Sequence, residues 1–155
     1  SIAAHFEEID GNGLEGITFD TMHNELLLLK EADPGLLIAV SADLKRITSV
    51  EILDEQKGFT AEGKKMDFSG MCFDAKRDLL WILSEEARCV FTFDRRQSRV
   101  VQRHSLKKNQ QGRSIRYAEG IADVFEAVAQ IEPFVKCRSA GRNLLSGFAM
   151  GCFVA

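Results

Sequence analysis

The stretch Gly13-Leu14-Glu15-Gly16-Ile17-Thr18-Phe19-Asp20 decides the fold, because a related stretch returns twice along the chain. The second is Asp67-Phe68-Ser69-Gly70-Met71-Cys72-Phe73-Asp74, and the third is Tyr117-Ala118-Glu119-Gly120-Ile121-Ala122-Asp123. From position 13 to 67 the interval is 54 residues, and from 67 to 117 it is 50 residues. A fixed period of about 20 to 50 residues is typical of solenoids, propellers and arrays. The chain is therefore predicted to be a repeat protein.

Each repeat contains short apolar runs separated by polar turns, and these runs predict strands. The most apolar run holds four consecutive leucines at 26–29, and its length favours a strand buried on both faces. Four strands per unit is the number in a propeller blade. We therefore predict an all-β fold, a partial β-propeller with about two complete four-stranded blades plus strands of flanking blades. The predicted strands are 17–20, 26–30, 36–40 and 47–53 in the first unit, and 70–74, 79–84, 90–93 and 99–106 in the second.

The repeat pattern is incomplete at both ends of the chain. Residues 3–10 occupy the place that 47–54 hold in the next unit, so they are expected to be the outer strand of a blade that begins earlier. After Asp123 the polar turn and the strand alternation are missing. We therefore predict propeller blades over residues 1–123, as part of a larger propeller, and a diverged or irregular tail, either a short helix or disordered, over residues 124–155.

Composition argues against several functions. The net charge is −3 and the 20 basic residues are spread along the chain, so a nucleic-acid partner is not expected. The four cysteines show no C-x-x-C spacing, which leaves a zinc site or a redox pair without support. No serine stands in a G-x-S-x-G motif. We predict no catalytic residue. Of the four cysteines, Cys72, Cys89, Cys137 and Cys152, the first two stand in apolar strand runs and are predicted to pack in the core.

Acidic residues recur at equivalent places in the repeats. Aligning the units on their glycines superimposes Glu15, Ser69 and Glu119, and also Glu31 and Glu85. Because the first strand of a propeller blade lines the central channel, these five residues are predicted to face a ligand or the channel. Crowded carboxylates are relieved by a cation such as Ca²⁺, which takes six to eight oxygen ligands.

Two other interpretations of the glutamates stay open at this stage. They can accept hydrogen bonds from the backbone of a neighbouring blade, which is an architectural role, or they can act as general acid and base. If a metal binds, Glu15 and Glu119 are the candidate ligands. The recurring Asp20, Asp74 and Asp123 each close a first strand, and turn capping explains them.

With these motifs assembled, the chain resembles the SdiA-regulated, YjiK-like family of bacterial envelope proteins. The similarity runs in order through 12–16 with 29–31, then 67–70 with 83–85, and finally 118–122, and it covers about residues 1–123. The family continues from its Ala-Glu-Gly motif into a strand ending in Ser-Glu-Pro. Here only Glu132-Pro133 matches that ending, and Val135 stands where the repeat would place a glutamate.

The resemblance implies a β-propeller exposed to the periplasm and held at the inner membrane by an anchor outside this chain. It implies a binding or scaffold role, with an unknown small molecule or an envelope protein as partner and contact with the membrane through that anchor alone. A more distant resemblance to phytase-like propellers with esterase-like activity gives the alternative, a Ca²⁺-dependent hydrolase.

Overall fold

A computed structural model of the chain describes residues 13–60, 63, 65–106, 118–122, 134–139, 142–147 and 151–154. Beyond residue 106, it describes the backbone and the side chain of Ile121. The described residues form three antiparallel sheets of four strands each, and the strands of each sheet follow one another in chain order. None of these residues forms a helix of the length and apolar character that a membrane span requires.

Sheet 1 and sheet 2 carry the first two repeats. Sheet 1 consists of β1 (Leu14–Asp20), β2 (Glu25–Lys30), β3 (Leu36–Ser41) and β4 (Ile47–Ile52). Sheet 2 consists of β5 (Gly70–Asp74), β6 (Leu79–Ser84), β7 (Cys89–Asp94) and β8 (Arg99–Ser105). The predicted all-β class and the four-stranded antiparallel units are confirmed.

Sheet 3 begins in the third repeat and continues into the segment for which the sequence predicts an irregular tail. It consists of β9 (Ala118–Ala122), β10 (Phe134–Ser139), β11 (Arg142–Gly147) and β12 (Gly151–Val154). Wherever the structure describes residues beyond 123 the backbone is strand, and the other residues of the predicted tail lie outside the described residues.

Alternation along the leucine run explains why β2 is buried on both faces, as predicted. Leu27 and Leu29 belong to the core between sheets 1 and 2, whereas Leu28 packs on the other face of sheet 1 with Ile38 and Val40. Successive side chains of a strand point to opposite faces. A continuous apolar run therefore fills two separate cores.

The core between sheets 1 and 2 is rich in aromatic residues. Phe59 and Phe68, from the connection between β4 and β5, lie with their rings 5.3 Å apart and nearly perpendicular, and Phe59 also contacts Phe91 and Phe93. All four side chains are fully buried. Phe91 and Phe93 of sheet 2 therefore serve inter-sheet packing.

The first strands of sheets 1 and 2 lie side by side and run in the same direction. A Cβ on Gly16 would lie 3.1 Å from Cβ of Met71, and the Phe73 N–H donates to Thr18 Oγ1 at 3.2 Å. A side chain at position 16 would force its neighbours to shift by a few tenths of an ångström, so glycine suits so close an approach of the two strands. Gly16 of the repeated motif thus favours close packing of β1 against β5.

The other face of sheet 2 packs against β9. Ile121 is buried there in a cluster with Cys72, Trp81, Leu83, Val90 and Leu106. Cys72 and Cys89 are buried free thiols in the apolar cores, as predicted, and the side chains of Cys137 and Cys152 lie outside the described residues. The three first strands, β1, β5 and β9, are therefore successive neighbours.

Candidate functional site

The structure places four of the predicted site residues at one end of sheets 1 and 2, which we call the glutamate end: Glu15, Glu31, Ser69 and Glu85. Leu14 pairs with Lys30, so Glu15 and Glu31 lie at the same end of the β1–β2 ladder. The Glu31 carbonyl accepts from the Phe68 N–H at 2.9 Å, which brings Ser69 beside Glu31. The Ser69 N–H in turn donates to the Leu83 carbonyl at 2.9 Å, two residues before Glu85.

Glu15 is the exposed member of this end. It sits in a β-bulge, where the register shifts between Leu14 and Gly16, and so it has no partner residue on β2. Its side chain is exposed, whereas Glu31, Ser69 and Glu85 are half-buried. A bulge commonly redirects a side chain at the rim of a sheet.

The fifth predicted residue, Glu119, lies in β9, and its side chain is outside the described residues. Within the part of the chain that the structure describes, no three His, Cys, Asp or Glu side chains come together as a metal site. Ca²⁺ binding by Glu15 and Glu119, and the ligand- or channel-facing role of all five residues, therefore stay predictions.

The opposite end of the sheets, which we call the turn end, carries the turns that follow β1, β3, β5 and β7, whereas the turn between β6 and β7 lies at the glutamate end. Asp20 Oδ1 accepts from the N–H groups of Met22 and His23, each at 2.9 Å. Asp74 and Asp94 make the same pair of bonds to the residues two and three positions later. This confirms turn capping for Asp20 and Asp74, while Asp123 lies outside the described residues.

These turns share a left-handed residue four positions after the capping residue. Positive φ angles occur at Asn24, Asp78 and Ser98, after Asp20, Asp74 and Asp94 respectively. Arg88 occupies the same place after Ser84, whose hydroxyl accepts from the Ala87 N–H at 3.2 Å. These four turns therefore have the same form. An Asp or Ser caps the turn, and a residue with positive φ follows it four positions later.

At the turn end a single arginine joins two sheets. Arg95, in the turn between β7 and β8, donates from Nη1 to Asp20 Oδ2 at 2.5 Å and from Nη2 to Glu25 Oε2 at 2.9 Å. His23 Nδ1 lies 2.9 Å from the same Asp20 oxygen, and Thr48 Oγ1 donates to Glu25 Oε1 at 2.5 Å. We call these five residues the Arg95 cluster.

The carboxylates of the turn end are held in their charged form. Burial opposes ionisation of Asp20, but hydrogen bonds from the backbone and ring of His23 and the nearby charges of His23 and Arg95 outweigh it and lower its pKa. Burial likewise opposes ionisation of Glu25, and hydrogen bonds from Thr48 and Arg95 together with the charge of Arg95 lower its pKa. Both groups are therefore anionic around neutral pH.

The Arg95 cluster contains a carboxylate–imidazole pair. The imidazole of His23 is oriented through Nδ1 by Asp20, an arrangement that can serve general base catalysis. Here, however, Arg95 takes the same Asp20 oxygen and neutralises its charge. The Asp20 side chain is fully buried, and through Arg95 the cluster joins sheets 1 and 2 at the turn end.

A protein-family comparison matches the SdiA-regulated family over residues 1–125. The match spans the three glycine motifs that set β1, β5 and β9. The chain belongs to the SdiA-regulated family. A search of curated proteins gave no match to this chain. The family assignment thus confirms the resemblance seen in the motifs, and it ends close to residue 123, where that resemblance ends.

The sequence did not predict the roles of three residues of this SdiA-regulated protein: the inter-sheet contacts of Arg95 and the turn capping by Asp94 and Ser84. The spacing of Asp94 to Ser98 repeats that of Asp20 to Asn24, so this turn could have been found from the pattern. Arg95 gave no such signal, because its partners lie 70 and 75 residues away in the chain.

Proposed function

We propose that this member of the SdiA-regulated family is part of a β-propeller that serves as a binding or scaffold module of the bacterial cell envelope. The module is periplasmic and is held at the inner membrane by an anchor outside this chain. Its partner is a small molecule or an envelope protein that docks at the glutamate end. The exposed Glu15 carboxylate, at the start of the first strand of a sheet, carries this proposal.

The propeller arrangement is supported by how the sheets follow one another. Each sheet is a meander in chain order, and β1, β5 and β9 are successive neighbours. In a propeller the first strands of the blades surround the central channel. Glu15 begins such a strand, and Glu31 and Ser69 lie at the same end, so a ligand entering there meets polar groups from two sheets.

The alternative is a Ca²⁺-dependent hydrolase of phosphate or ester substrates. The observation that favours it is that Glu15, Glu31 and Glu85 belong to the same end of adjacent sheets, since carboxylate oxygens are the ligands that Ca²⁺ prefers. Among the described residues these side chains do not come together as a metal site, so the cation would need a further ligand such as the predicted Glu119. A hydrolase of this kind needs the cation to activate a water molecule. The hydrolase therefore requires bound Ca²⁺, whereas the binding module does not.

One assay separates them. The chain is incubated with phytate or p-nitrophenyl acetate, with and without millimolar Ca²⁺, and release of phosphate or p-nitrophenol is measured. A binding module gives no Ca²⁺-dependent turnover. A hydrolase gives turnover that needs Ca²⁺ and falls at least about tenfold in Glu15→Gln, a change of about 1.4 kcal/mol or more in the barrier.

Glu55→Gln is the matched control, because Glu55 is an exposed carboxylate outside the repeated positions. It should leave both binding and turnover unchanged. The envelope location is tested by protease treatment of cells that produce the full-length protein. Digestion in spheroplasts but not in intact cells supports a periplasmic module, and protection in both contradicts it.

A further inference from the structure

The solvent-exposed charges of the turn end are almost all positive. The carboxylates that cap the turns after β1, β5 and β7 point inward, because the side chains of Asp20, Asp74 and Asp94 are 0%, 3% and 6% exposed. Within the four turns of this end, all of which the structure describes, Asp43 is the one exposed carboxylate. The exposed basic residues of these turns and of the first position of β8 are Lys45, Arg46, Lys76, Arg77, Arg96 and Arg99.

The glutamate end has exposed charges of mostly the other sign. Among the described residues there, the exposed carboxylates are those of Glu15, Asp33, Glu55 and Glu86, and the exposed bases are Lys65 and Arg88. Sheets 1 and 2 therefore have a charge polarity along their strands. An anionic surface attracts the turn end of these sheets and repels the glutamate end.

The four turns lie side by side. Glu25 pairs with Ser41, which places the turn after β3 beside the turn after β1. The Arg95 cluster joins the turn after β7 to the turn after β1. Arg96 Nε lies 3.4 Å from Asp78 Oδ2, which links the turn after β7 to the turn after β5. The exposed bases thus belong to one surface shared by two sheets.

Two large apolar side chains project from the same surface. Met22 and Leu44 lie in the turns after β1 and β3 and are 61% and 64% exposed. Leu44 also has a φ of 59°, a conformation that residues with bulky side chains rarely adopt. An exposed leucine in a strained turn adds nothing to the core, so its position points to a contact outside the fold.

We propose that the turn end is a docking surface for an anionic lipid bilayer. The basic side chains contact the lipid phosphates, and Met22 and Leu44 enter the headgroup layer. These apolar side chains favour a bilayer over a nucleic acid, whose phosphate backbone offers no apolar layer. The contact adds to the anchor of the proposed function and leaves the glutamate end facing away from the membrane. It rests on the proposed location beside a membrane, but lipid binding by this surface is measured without it.

The test is sedimentation of the chain with large vesicles made of equal parts of phosphatidylglycerol and phosphatidylcholine. Vesicles of phosphatidylcholine alone are the comparison. Because the proposed anchor lies outside this chain, sedimentation reports binding by the chain itself. The chain should pellet with the anionic vesicles and stay in solution with the neutral ones. Raising NaCl from about 0.05 M to about 0.5 M should weaken the binding, since salt screens exposed charges.

Charge reversal at the two ends locates the binding surface. Arg46→Glu/Lys76→Glu should lower the partition coefficient about 25-fold or more, since each basic side chain at an anionic surface contributes about a factor of five. Lys65→Glu/Arg88→Glu makes the same change in net charge at the glutamate end and should lower it less than about threefold. All four side chains are exposed, and circular dichroism checks that both variants are folded.

The apolar contribution has its own pair of variants. Leu44→Asn should lower the partition coefficient about tenfold, because the side chain that enters the headgroup layer is lost. Ile52→Asn removes a 49% exposed apolar side chain at the glutamate end and should leave binding unchanged.

Absence of binding, equal binding to neutral vesicles, or equal effects of the turn-end variants and their controls would each overturn the docking surface. Binding to a DNA duplex that is as tight as binding to vesicles, and that Leu44→Asn does not change, would assign the surface to another polyanion and overturn it as well. None of these results bears on turnover that depends on Glu15 or on the protease test, so the proposed function stands or falls by its own assays.

Discussion

Arg95 Nη1 lies 2.5 Å from Asp20 Oδ2, and this contact joins the turn between β7 and β8 to the turn between β1 and β2. The Asp20 side chain is fully buried and that of Arg95 is 19% exposed. A buried carboxylate needs compensation for its lost hydration. The pair therefore fixes how sheets 1 and 2 meet at the turn end.

Replacing Arg95 by alanine should lower the free energy of unfolding by about 1–3 kcal/mol, because Asp20 and Glu25 lose their charged donor. Urea unfolding measures the change. Arg96→Ala is the matched control, since the Arg96 side chain is 65% exposed and lies 3.4 Å from Asp78. It should change stability by less than about 0.5 kcal/mol. Equal effects of the two substitutions would contradict a special role for Arg95.

Stability should fall in acid. Burial opposes ionisation of Asp74, but hydrogen bonds from Arg77 and Trp81 and the charge of Arg77 lower its pKa below the ordinary 3.8. Burial likewise opposes ionisation of Asp94, but hydrogen bonds from Gln97 and Arg96 and the charge of Arg96 lower its pKa below 3.8. Because both pKa values are lower in the folded protein than in the unfolded chain, the unfolded chain binds protons more readily. The two carboxylates therefore stabilise the fold above pH 3.8, and this stabilisation is lost as the pH falls through their folded-state pKa values.

Unfolding midpoints in urea from pH 7 to pH 2 test this pH dependence. The midpoint should be level near neutrality and drop below about pH 4. Asp94→Asn should make the drop shallower, because one of the titrating groups is removed. A midpoint that rises in acid, or an Asp94→Asn profile with the slope of the wild type, would count against the assignment.

Leu44 offers a stabilising substitution. It has a φ of 59° at an exposed turn, a conformation that costs most L-residues energy but that asparagine tolerates. Leu44→Asn should raise the free energy of unfolding by about 0.5–1 kcal/mol. Leu44→Ala keeps the strained backbone and should give little of this gain. Equal gains would attribute the effect to loss of the exposed side chain.

Gly35→Ala should destabilise the fold. A Cβ at Gly35 would lie 2.3 Å from the ring of Phe68, which is fully buried and packs edge-on against Phe59, so one of them must shift. The expected loss is about 2 kcal/mol, typical of overpacking a core. Gly13→Ala is the control, because its nearest neighbour would be a Glu15 oxygen at 3.9 Å. Thermal melting that shows no difference between the two would refute the clash.

Much of the fold could be predicted from local patterns. The four leucines at 26–29 predict a strand buried on both faces, and the structure confirms this with Leu27 and Leu28 in different cores. The capping aspartates Asp20 and Asp74 could also be recognised, because their hydrogen bonds reach only two or three residues along the chain. Side-chain alternation and turn capping are short-range effects, so sequence alone reveals them.

The tertiary structure decided what depends on distant neighbours. Equivalent sequence positions hold Ile17 and Met71, yet only packing against sheet 1 determines that Met71 is buried. The joint between Arg95 and Asp20 spans 75 residues, and no local pattern marks it. The sequence repeat shows that Glu15 and Glu31 stand at equivalent places in successive units. That Glu15 is the exposed carboxylate depends on the β-bulge, which arises from pairing between strands. The sequence determines the four-stranded repeat unit because strand alternation and turn capping are local interactions. Only the tertiary structure determines which side chains are exposed, because exposure depends on what packs against the sheet.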